Sequence, residues 1–384
     1  MSESPTATRR MFLGSELVGS IDKLPSRIDL EDEDAERPPA APNLGQMARL
    51  ARLAQHGVLD YISIDDTLGG NPLFSGRRRG GLDSVRLAAR LAPATAGVFL
   101  VPLVRANWVE PSSLLEALVS LEIASAGRHG WELQLQPGAS PMGHGGELLT
   151  AIVEDTWSAA DPLTRLAASA RAFRQRKLVW AAGPGKGSGH TLAPRQPVHV
   201  MRADSPEATA LAVERADVVR VAVASHAEAL SKRAALKEAA AKAGRDPADL
   251  KVLIDLTVTL ADLASHAEAR KDLAEEIMGQ RLGGDGLRFV GTPAALAGCC
   301  VEWVQAEACD GFTFLPTSLP VDLMLLVKGV TPALAEAGHT PGAYRQPRHP
   351  GGAPRAVPVR RKLRSGRGRQ ARPLPPGDLV GAAA

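Results

Sequence analysis

The segment from Pro197 to Val219, PVHVMRADSPEATALAVERADVV, contains the residues best suited to chemistry. Its pattern predicts a β-strand, a tight polar turn, a helix and the start of another strand. The turn Ala203-Asp204-Ser205-Pro206 places a hydroxyl group and free backbone N–H groups at the start of that helix. Together with the helix dipole, these groups favour an anion such as a cofactor phosphate. The same residues also suit simple capping by Asp204 or Ser205, with Pro206 in the first turn.

Polar residues also stand in or just after other predicted strands. Glu132, Gln134 and Gln136 alternate with leucines, so they share one face of a strand. Buried inside a barrel, they would be costly without partners, and they suit hydrogen bonding to a polar, planar ligand. The alternative is that they pair with neighbouring barrel side chains. The other polar residues at predicted strand ends are Asp65, Asp66, Arg105, Asn107 and Arg202.

Several common catalytic motifs are missing from the sequence. Gly183–Gly189 (GPGKGSG) is not a Walker A motif, because Trp180 stands six positions before Lys186 and Gly187 follows the lysine. The nine histidines form no HxH or HExxH pattern, which gives metal catalysis little support. A Gly-x-Ser-x-Gly elbow is also missing, so a serine hydrolase is unsupported. We expect no metal site.

Apolar strand patterns alternate with amphipathic helix patterns along the chain. The predicted helices include 43–56, 112–125 and 292–308. The predicted strands are 11–17, 59–65, 96–104, 130–136, 197–203, 217–223, 251–260 and 311–316. Eight strands alternating with helices predict an α/β fold, the (β/α)8 TIM barrel, with its active site where the strands end. A doubly wound open sheet is the alternative, but no GxGxxG follows the first strand.

Composition and charge divide the chain into a barrel domain, 1–345, and a tail, 346–384. The tail is rich in Arg, Pro and Gly and is predicted to be disordered. From Arg345 onward the chain has ten basic residues and one acid, whereas the preceding part has 35 basic and 41 acidic residues. Any weak attraction to nucleic acid would therefore come from the tail. The segment between Pro137 and Pro197 shows no clear strand and predicts an insertion at the rim of the barrel.

The chain has no run of 18 apolar residues and no signal-peptide pattern, so we expect a cytoplasmic protein without a membrane span. Its three cysteines lack CxxC spacing and are expected to be reduced thiols.

Five segments, taken in their order, resemble the bacterial luciferase-like flavin-dependent monooxygenases, and within them the nitrilotriacetate monooxygenase type. The longest is LAARLAPATAGVFLVPLVRANWVEPSSLLEALVSLEIASAGRHGW, residues 87–131. The others are 50–69 (LARLAQHGVLDYISIDDTLG), 197–221, 243–253 and 290–316 (VGTPAALAGCCVEWVQAEACDGFTFLP).

The resemblance implies a (β/α)8 barrel that binds reduced FMN at the ends of its strands, or a deazaflavin as in some relatives. It further implies O2 and a separate flavin reductase as partners, oxygenation of a small organic substrate, and pairing into a homodimer. Asp66 matches the acid near the flavin ring. Ser205, with Ala203 and Asp204, matches the turn that holds the flavin phosphate.

We add Gln134 and Gln136 as expected ring contacts and Arg202 as a phosphate contact. No residue is identified as an acid–base catalyst.

Two departures from the family pattern leave a second hypothesis open. The family commonly has Asn-Val-Val-Thr-Ser where this chain has residues 132–136 (ELQLQ), and glycines commonly flank the Ser-Pro of the phosphate turn. The alternative is a barrel that has lost flavin turnover and acts as a flavin-binding or partner protein.

Overall fold

The computed structural model describes residues 9–17, 44–65, 83–106, 109–135, 146–157, 197–279 and 281–344. The tail and most of the predicted rim insertion lie outside these residues. Accordingly, the division into a barrel domain and a disordered tail stays a prediction.

Eight parallel strands close into a barrel, which confirms the predicted TIM barrel. Each strand pairs with the next in chain order from β1 to β7, and β7 pairs with β9, which pairs back with β1. The barrel strands are β1 Phe12–Glu16, β2 Tyr61–Ile64, β3 Phe99–Arg105, β4 Gly130–Gln134, β5 Val198–Arg202, β6 Val218–Val221, β7 Lys251–Leu260 and β9 Gly311–Pro316. Every one of them lies in or overlaps a predicted strand.

A ninth short strand, β8 Arg288–Gly291, was not predicted. It pairs with Thr257–Leu260 of β7, beyond the stretch where β6 pairs with the same strand. Because β7 is ten residues long and β6 only four, the upper part of β7 leaves an edge that β8 covers.

Helices surround the barrel in the described part of the chain. They are α1 Leu44–His56, α2 Asp83–Leu91, α3 Pro111–Ser125, α4 Gly146–Trp157, α5 Pro206–Arg215, α6 His226–Lys242, α7 Ala264–Met278, α8 Pro293–Gln305, α9 Val321–Leu325 and α10 Thr331–Glu336. A π-helical turn, Leu326–Val330, joins the last two.

Local sequence explains where these helices begin and which face they bury. Met47, Leu50, Ala51 and Ala54 of α1 are buried at helical spacing, so one stripe of that helix faces the strands. Thr292 caps α8 by accepting a hydrogen bond from the Ala295 N–H, and proline follows at the first helical position, a pair typical of a helix start.

The barrel interior is divided along its axis. Near the ends where the strands begin, Tyr61, Val101, Val200 and Leu253 form a small apolar cluster separate from the main core, which includes strand and helix residues alike. Closer to the ends of the strands, several of the inward side chains are charged. The apolar cluster is therefore the floor beneath a polar upper half.

Candidate active site

Five strands each place one charged side chain in a connected group of ion pairs inside the upper half of the barrel. We call this group the interior charge cluster; its members are Glu16 on β1, Glu132 on β4, Arg202 on β5, Arg220 on β6 and Asp255 on β7. The side chains of Glu132 and Arg220 are fully buried, whereas that of Arg202 is 29% exposed. With three acids and two arginines, the cluster has a net charge of −1.

Arg220 is the centre of the cluster. Its Nε donates to Asp255 Oδ1 at 2.7 Å, and its Nη1 donates to both carboxylate oxygens of Glu132 at 3.0 and 2.8 Å. Its Nη2 lies 3.5 Å from Glu16 Oε2. Since a buried guanidinium needs its charge and its N–H groups satisfied, these three acids explain how an arginine stands inside the barrel.

Glu132 is held as a carboxylate by its neighbours. Burial alone raises its pKa, but the charges of Arg220 and Arg202 and the hydrogen bonds from Arg202 and Ser63 outweigh burial and lower the pKa to about 2. Ser63 Oγ donates to Glu132 Oε2 at 2.9 Å. For Glu132, the structure therefore favours the alternative interpretation, in which the residue pairs with barrel side chains.

Arg202 stands at the end of β5 and is the most exposed member of the interior charge cluster. Its Nε donates to Glu132 Oε1 at 2.9 Å, and its Nη2 lies 3.6 Å from Glu16 Oε2. Arg202 is also the register partner of Arg220 on the next strand. Glu132 accepts hydrogen bonds from both arginines, which offsets the repulsion between two neighbouring like charges.

Ser205 caps α5. Its Oγ accepts a hydrogen bond from the Ala208 N–H at 3.1 Å, and Pro206 follows as the first helical residue. The capping interpretation of this turn is thus confirmed. The cap leaves the Glu207 N–H and the Ser205 hydroxyl proton without a hydrogen-bond partner among the described residues, so both can still donate to an anion.

The rest of the predicted turn lies beside Ser205. Ala203 is partly buried, and its N–H donates to the Arg220 carbonyl at 3.0 Å. Asp204 is exposed. Phosphate binding by this turn remains a prediction.

The mouth of the barrel contains two more predicted features. Gln134 lies two residues beyond Glu132 on β4, on the same inward face and closer to the strand's end. Its half-buried side chain makes no hydrogen bond within the described residues. Asp65 and Arg105, from the ends of β2 and β3, form an ion pair at 2.9 Å. The predicted positions Asp66, Asn107 and Gln136 lie outside the described residues.

Sequence reasoning missed Glu16, Arg220 and Asp255. A signal was present, because each is the one ionisable side chain in an otherwise uncharged strand segment, in FLGSE, VVRV and VLIDLTV. A lone charge in such a strand indicates a buried partner on a neighbouring strand.

Metal-ligand clusters and membrane-spanning helices are both missing from the described residues. No group of three or more His, Cys, Asp or Glu side chains in the ranges given above could hold a metal ion. Among the same residues, no helix is long and apolar enough to cross a membrane.

A closed (β/α)8 barrel with polar and charged side chains converging at the ends of its strands is the arrangement that barrel enzymes use for their active sites. Comparison with known proteins identifies the family. The luciferase-like monooxygenase family model matches residues 24–297, well over half of the sequence. The chain belongs to the luciferase-like monooxygenase family.

Two curated relatives, which match this chain over most of their length, are monooxygenases. The chain is 24% identical to N-acetyl-S-(2-succino)cysteine monooxygenase of Bacillus subtilis (strain 168), over 78% of this chain and 87% of that protein. It is 23% identical to nitrilotriacetate monooxygenase component A of Aminobacter aminovorans, over 79% and 88% of the two chains. A riboflavin lyase solved with modified FMN and riboflavin has the same fold, with a TM-score of 0.62, 15% identity and coverage of 88% and 94%.

Proposed function

We propose that this protein is an FMN-dependent monooxygenase that uses reduced FMN and O2 to oxygenate a small organic substrate. Membership of the luciferase-like monooxygenase family and the monooxygenase relatives support an oxygenase role. The proposal that the cofactor has a phosphate group rests on the Ser205 turn, with Arg202 beside it at the mouth of the barrel.

The residues at the mouth fit such a cofactor. A phosphate needs hydrogen-bond donors, and the turn offers the Ser205 hydroxyl, the Glu207 N–H and the part-exposed Arg202 guanidinium. A planar ring with carbonyl and N–H groups needs donors and acceptors, and the Gln134 amide, which has no partner among the described residues, provides both. Asp66 and Gln136 remain proposed ring contacts outside the described residues.

Reduced FMN would supply the electrons that activate O2. The protein's own contribution would be to position the cofactor and the substrate and to exclude water from the site. Glu132 and Glu16 hold the Arg202 guanidinium in one orientation at the mouth, and Arg220 holds Glu132 in turn. Because these groups are already oriented before a ligand enters, binding costs little reorganisation.

The partners follow from the proposed reaction. The chain would need a separate flavin reductase to supply reduced FMN, as the component A designation of the Aminobacter relative supports. The substrate is open, and the named substrates of the two relatives, N-acetyl-S-(2-succino)cysteine and nitrilotriacetate, begin the screen. Cytoplasmic location and a homodimer remain proposals. The alternative of a barrel without turnover is not favoured, because both curated relatives are monooxygenases.

Ser205→Ala tests the phosphate contact most directly. We expect it to weaken the binding of reduced FMN about ten-fold, as the loss of a charge-assisted hydrogen bond would, and to leave riboflavin binding unchanged. Riboflavin is the matched control ligand, because it lacks only the phosphate. Arg202→Ala should have the same selective effect. Equal loss for FMN and riboflavin, or no loss for either, would show that this turn does not bind the phosphate.

Turnover with 18O2 tests the oxygenase reaction. With a flavin reductase, NADH and FMN present, a substrate from the screen should gain one labelled oxygen atom only when the protein is added. A protein that binds reduced FMN but labels no substrate, including the relatives' two, would favour the alternative without turnover.

A further inference from the structure

A second pocket lies at the opposite end of the barrel from the mouth, where the strands begin. Its volume is about 540 Å³. Phe12 is the first residue of β1, Lys251 is the first residue of β7, and Asp310 directly precedes β9. We call it the basic pocket, because five cations line it: Arg9, Arg10, Arg233, Lys237 and Lys251.

Acidic partners do not balance these cations. Asp310 is the one acid among the described lining residues, and it is shared by Arg9 at 3.2 Å, Arg233 at 2.9 Å and Lys237 at 2.9 Å. Two further acids nearby are Glu307, which pairs with Arg9 and Arg233, and Asp60, which pairs with Arg10. Three acids against five cations leave an excess of two positive charges among the described residues.

Lys251 is the cation with no acidic partner in the described part of the chain. Its Nζ donates to the Ala248 carbonyl and lies 5.5 Å from the centre of the Phe12 ring. The Arg10 guanidinium lies 4.9 Å from the same ring centre. An aromatic ring stabilises a cation only weakly compared with a carboxylate, so the charge of Lys251 remains available to a ligand.

The cations are crowded as well as numerous. Arg233 and Lys237 are largely buried, and Asp310 also accepts a hydrogen bond from the Val252 N–H at 2.9 Å. Burial, together with the charges of Arg233 and Lys251, lowers the pKa of Lys237 despite its pairing with Asp310. A concave, partly desolvated site with surplus positive charge attracts anions more strongly than exposed lysines do.

We propose that the basic pocket binds a small anion through a phosphate group. The cations approach from three elements: the segment before β1, helix α6 and the start of β7. Donors from several directions suit a tetrahedral phosphate, whose oxygens accept on all sides, better than a planar carboxylate. The two excess charges match a doubly charged phosphate. The site is independent of the proposed flavin site at the mouth, and no residue is shared.

Hydrogen exchange of the full-length protein tests the site, because it locates binding as well as detecting it. Pyrophosphate, inorganic phosphate and ADP are the three phosphate probes, and citrate is the carboxylate comparison. We expect a phosphate probe to slow exchange in segments 9–12 and 245–252. Protection by all three would identify a free phosphate group as sufficient, and protection by ADP alone would identify a nucleotide; the proposal holds in both cases.

Lys251→Gln is the test variant, because it removes a pocket charge without breaking an ion pair among the described residues. Titration by calorimetry should show binding weakened about ten-fold or more, as expected for one charge-assisted hydrogen bond. Lys242→Gln is the matched control on α6, exposed and paired only with Glu238 among the described residues, and it should bind as the wild type does. Arg10→Gln, at the exposed rim of the pocket, is a second test variant should Lys251→Gln not fold.

Three results would overturn the proposal. They are no protection of either segment by any phosphate probe, citrate binding as tight as pyrophosphate binding, or equal affinity in the wild type and the Lys251→Gln protein. Binding by the basic tail alone would appear as the last of these, since the tail is the same in both proteins. Binding that survives Ser205→Ala would separate this pocket from the flavin site.

Discussion

Replacing Glu132 by glutamine removes the buried carboxylate that joins Arg220 and Arg202. The amide keeps the shape of the side chain and one acceptor oxygen, but it cannot balance the charge of either arginine. Arg220 retains Asp255 and Glu16, whereas Arg202 retains only Glu16 at 3.6 Å within the described residues. The variant therefore measures the contribution of one charge inside the barrel.

The lowered pKa of Glu132 gives the expected size of the loss in the free energy of unfolding. Lowering the pKa from its ordinary value of 4.5 to about 2 corresponds to about 3 kcal/mol of stability at pH 7. This agrees with the range of about 3–5 kcal/mol for removing one partner of a buried ion pair. Because the folded-state pKa is the lower one, the contribution is complete above pH 4.5 and is lost as the pH falls toward 2. At pH 3.5 the difference between the two proteins should be about 2 kcal/mol.

Urea unfolding of the wild type and Glu132→Gln at pH 7, 5 and 3.5 measures this difference. Glu238→Gln is the control, since Glu238 is an exposed carboxylate paired only with Lys242 in the described chain, and its loss should not change stability measurably. A loss below about 1 kcal/mol at pH 7 would refute the buried charge as a stabilising element. A loss that stays constant with pH would refute the depressed pKa as its origin.

Three further substitutions test other parts of the structure by urea unfolding. Ser205→Ala deletes the cap of α5 and should cost about 1 kcal/mol, while Ser205→Asn, which can still accept from the Ala208 N–H, should cost less; equal losses would contradict the cap. Gly311→Ala places a Cβ 1.9 Å from the Phe12 carbonyl oxygen on the neighbouring strand and should cost about 3 kcal/mol, so an unchanged midpoint would contradict the close approach. The buried Asp322 carboxylate accepts four hydrogen bonds, from the Leu260 and Ser318 N–H groups, Thr317 and Arg270. Asp322→Asn weakens them and should also cost about 3 kcal/mol of stability. A loss under half of that would contradict a stabilising role for the Asp322 charge.

The barrel could be predicted because its pattern is local. Each strand is a short apolar run, and turns or caps with their own signatures, such as Thr292-Pro293, separate strands from helices. β8 could not be predicted in the same way. Its four residues carry no distinct pattern, and the strand exists because the upper half of β7 has an edge to pair with.

The candidate site was predictable only in part, because its contacts join distant strands. The sequence places Arg202 and Gln134 near strand ends, but the ion pairs of Arg202 with Glu132 and Glu16 depend on closure of the barrel. A helix cap at Asp204 or Ser205 was predictable from neighbouring residues alone, and in the structure Ser205 provides it. Arg220 could have been recognised as a buried charge from its apolar neighbours, although its three acidic partners lie 35 to 204 residues away.

Anaerobic titration with FMN, first oxidised and then photoreduced, tests the proposed cofactor most directly. Flavin absorbance and fluorescence report binding in each redox state, and reduced coenzyme F420 serves as the deazaflavin comparison. We predict saturable, one-to-one binding of reduced FMN that is tighter than binding of the reduced deazaflavin. Saturable binding of the deazaflavin alone, or of neither cofactor, would contradict the proposal that this barrel is an FMN-dependent monooxygenase.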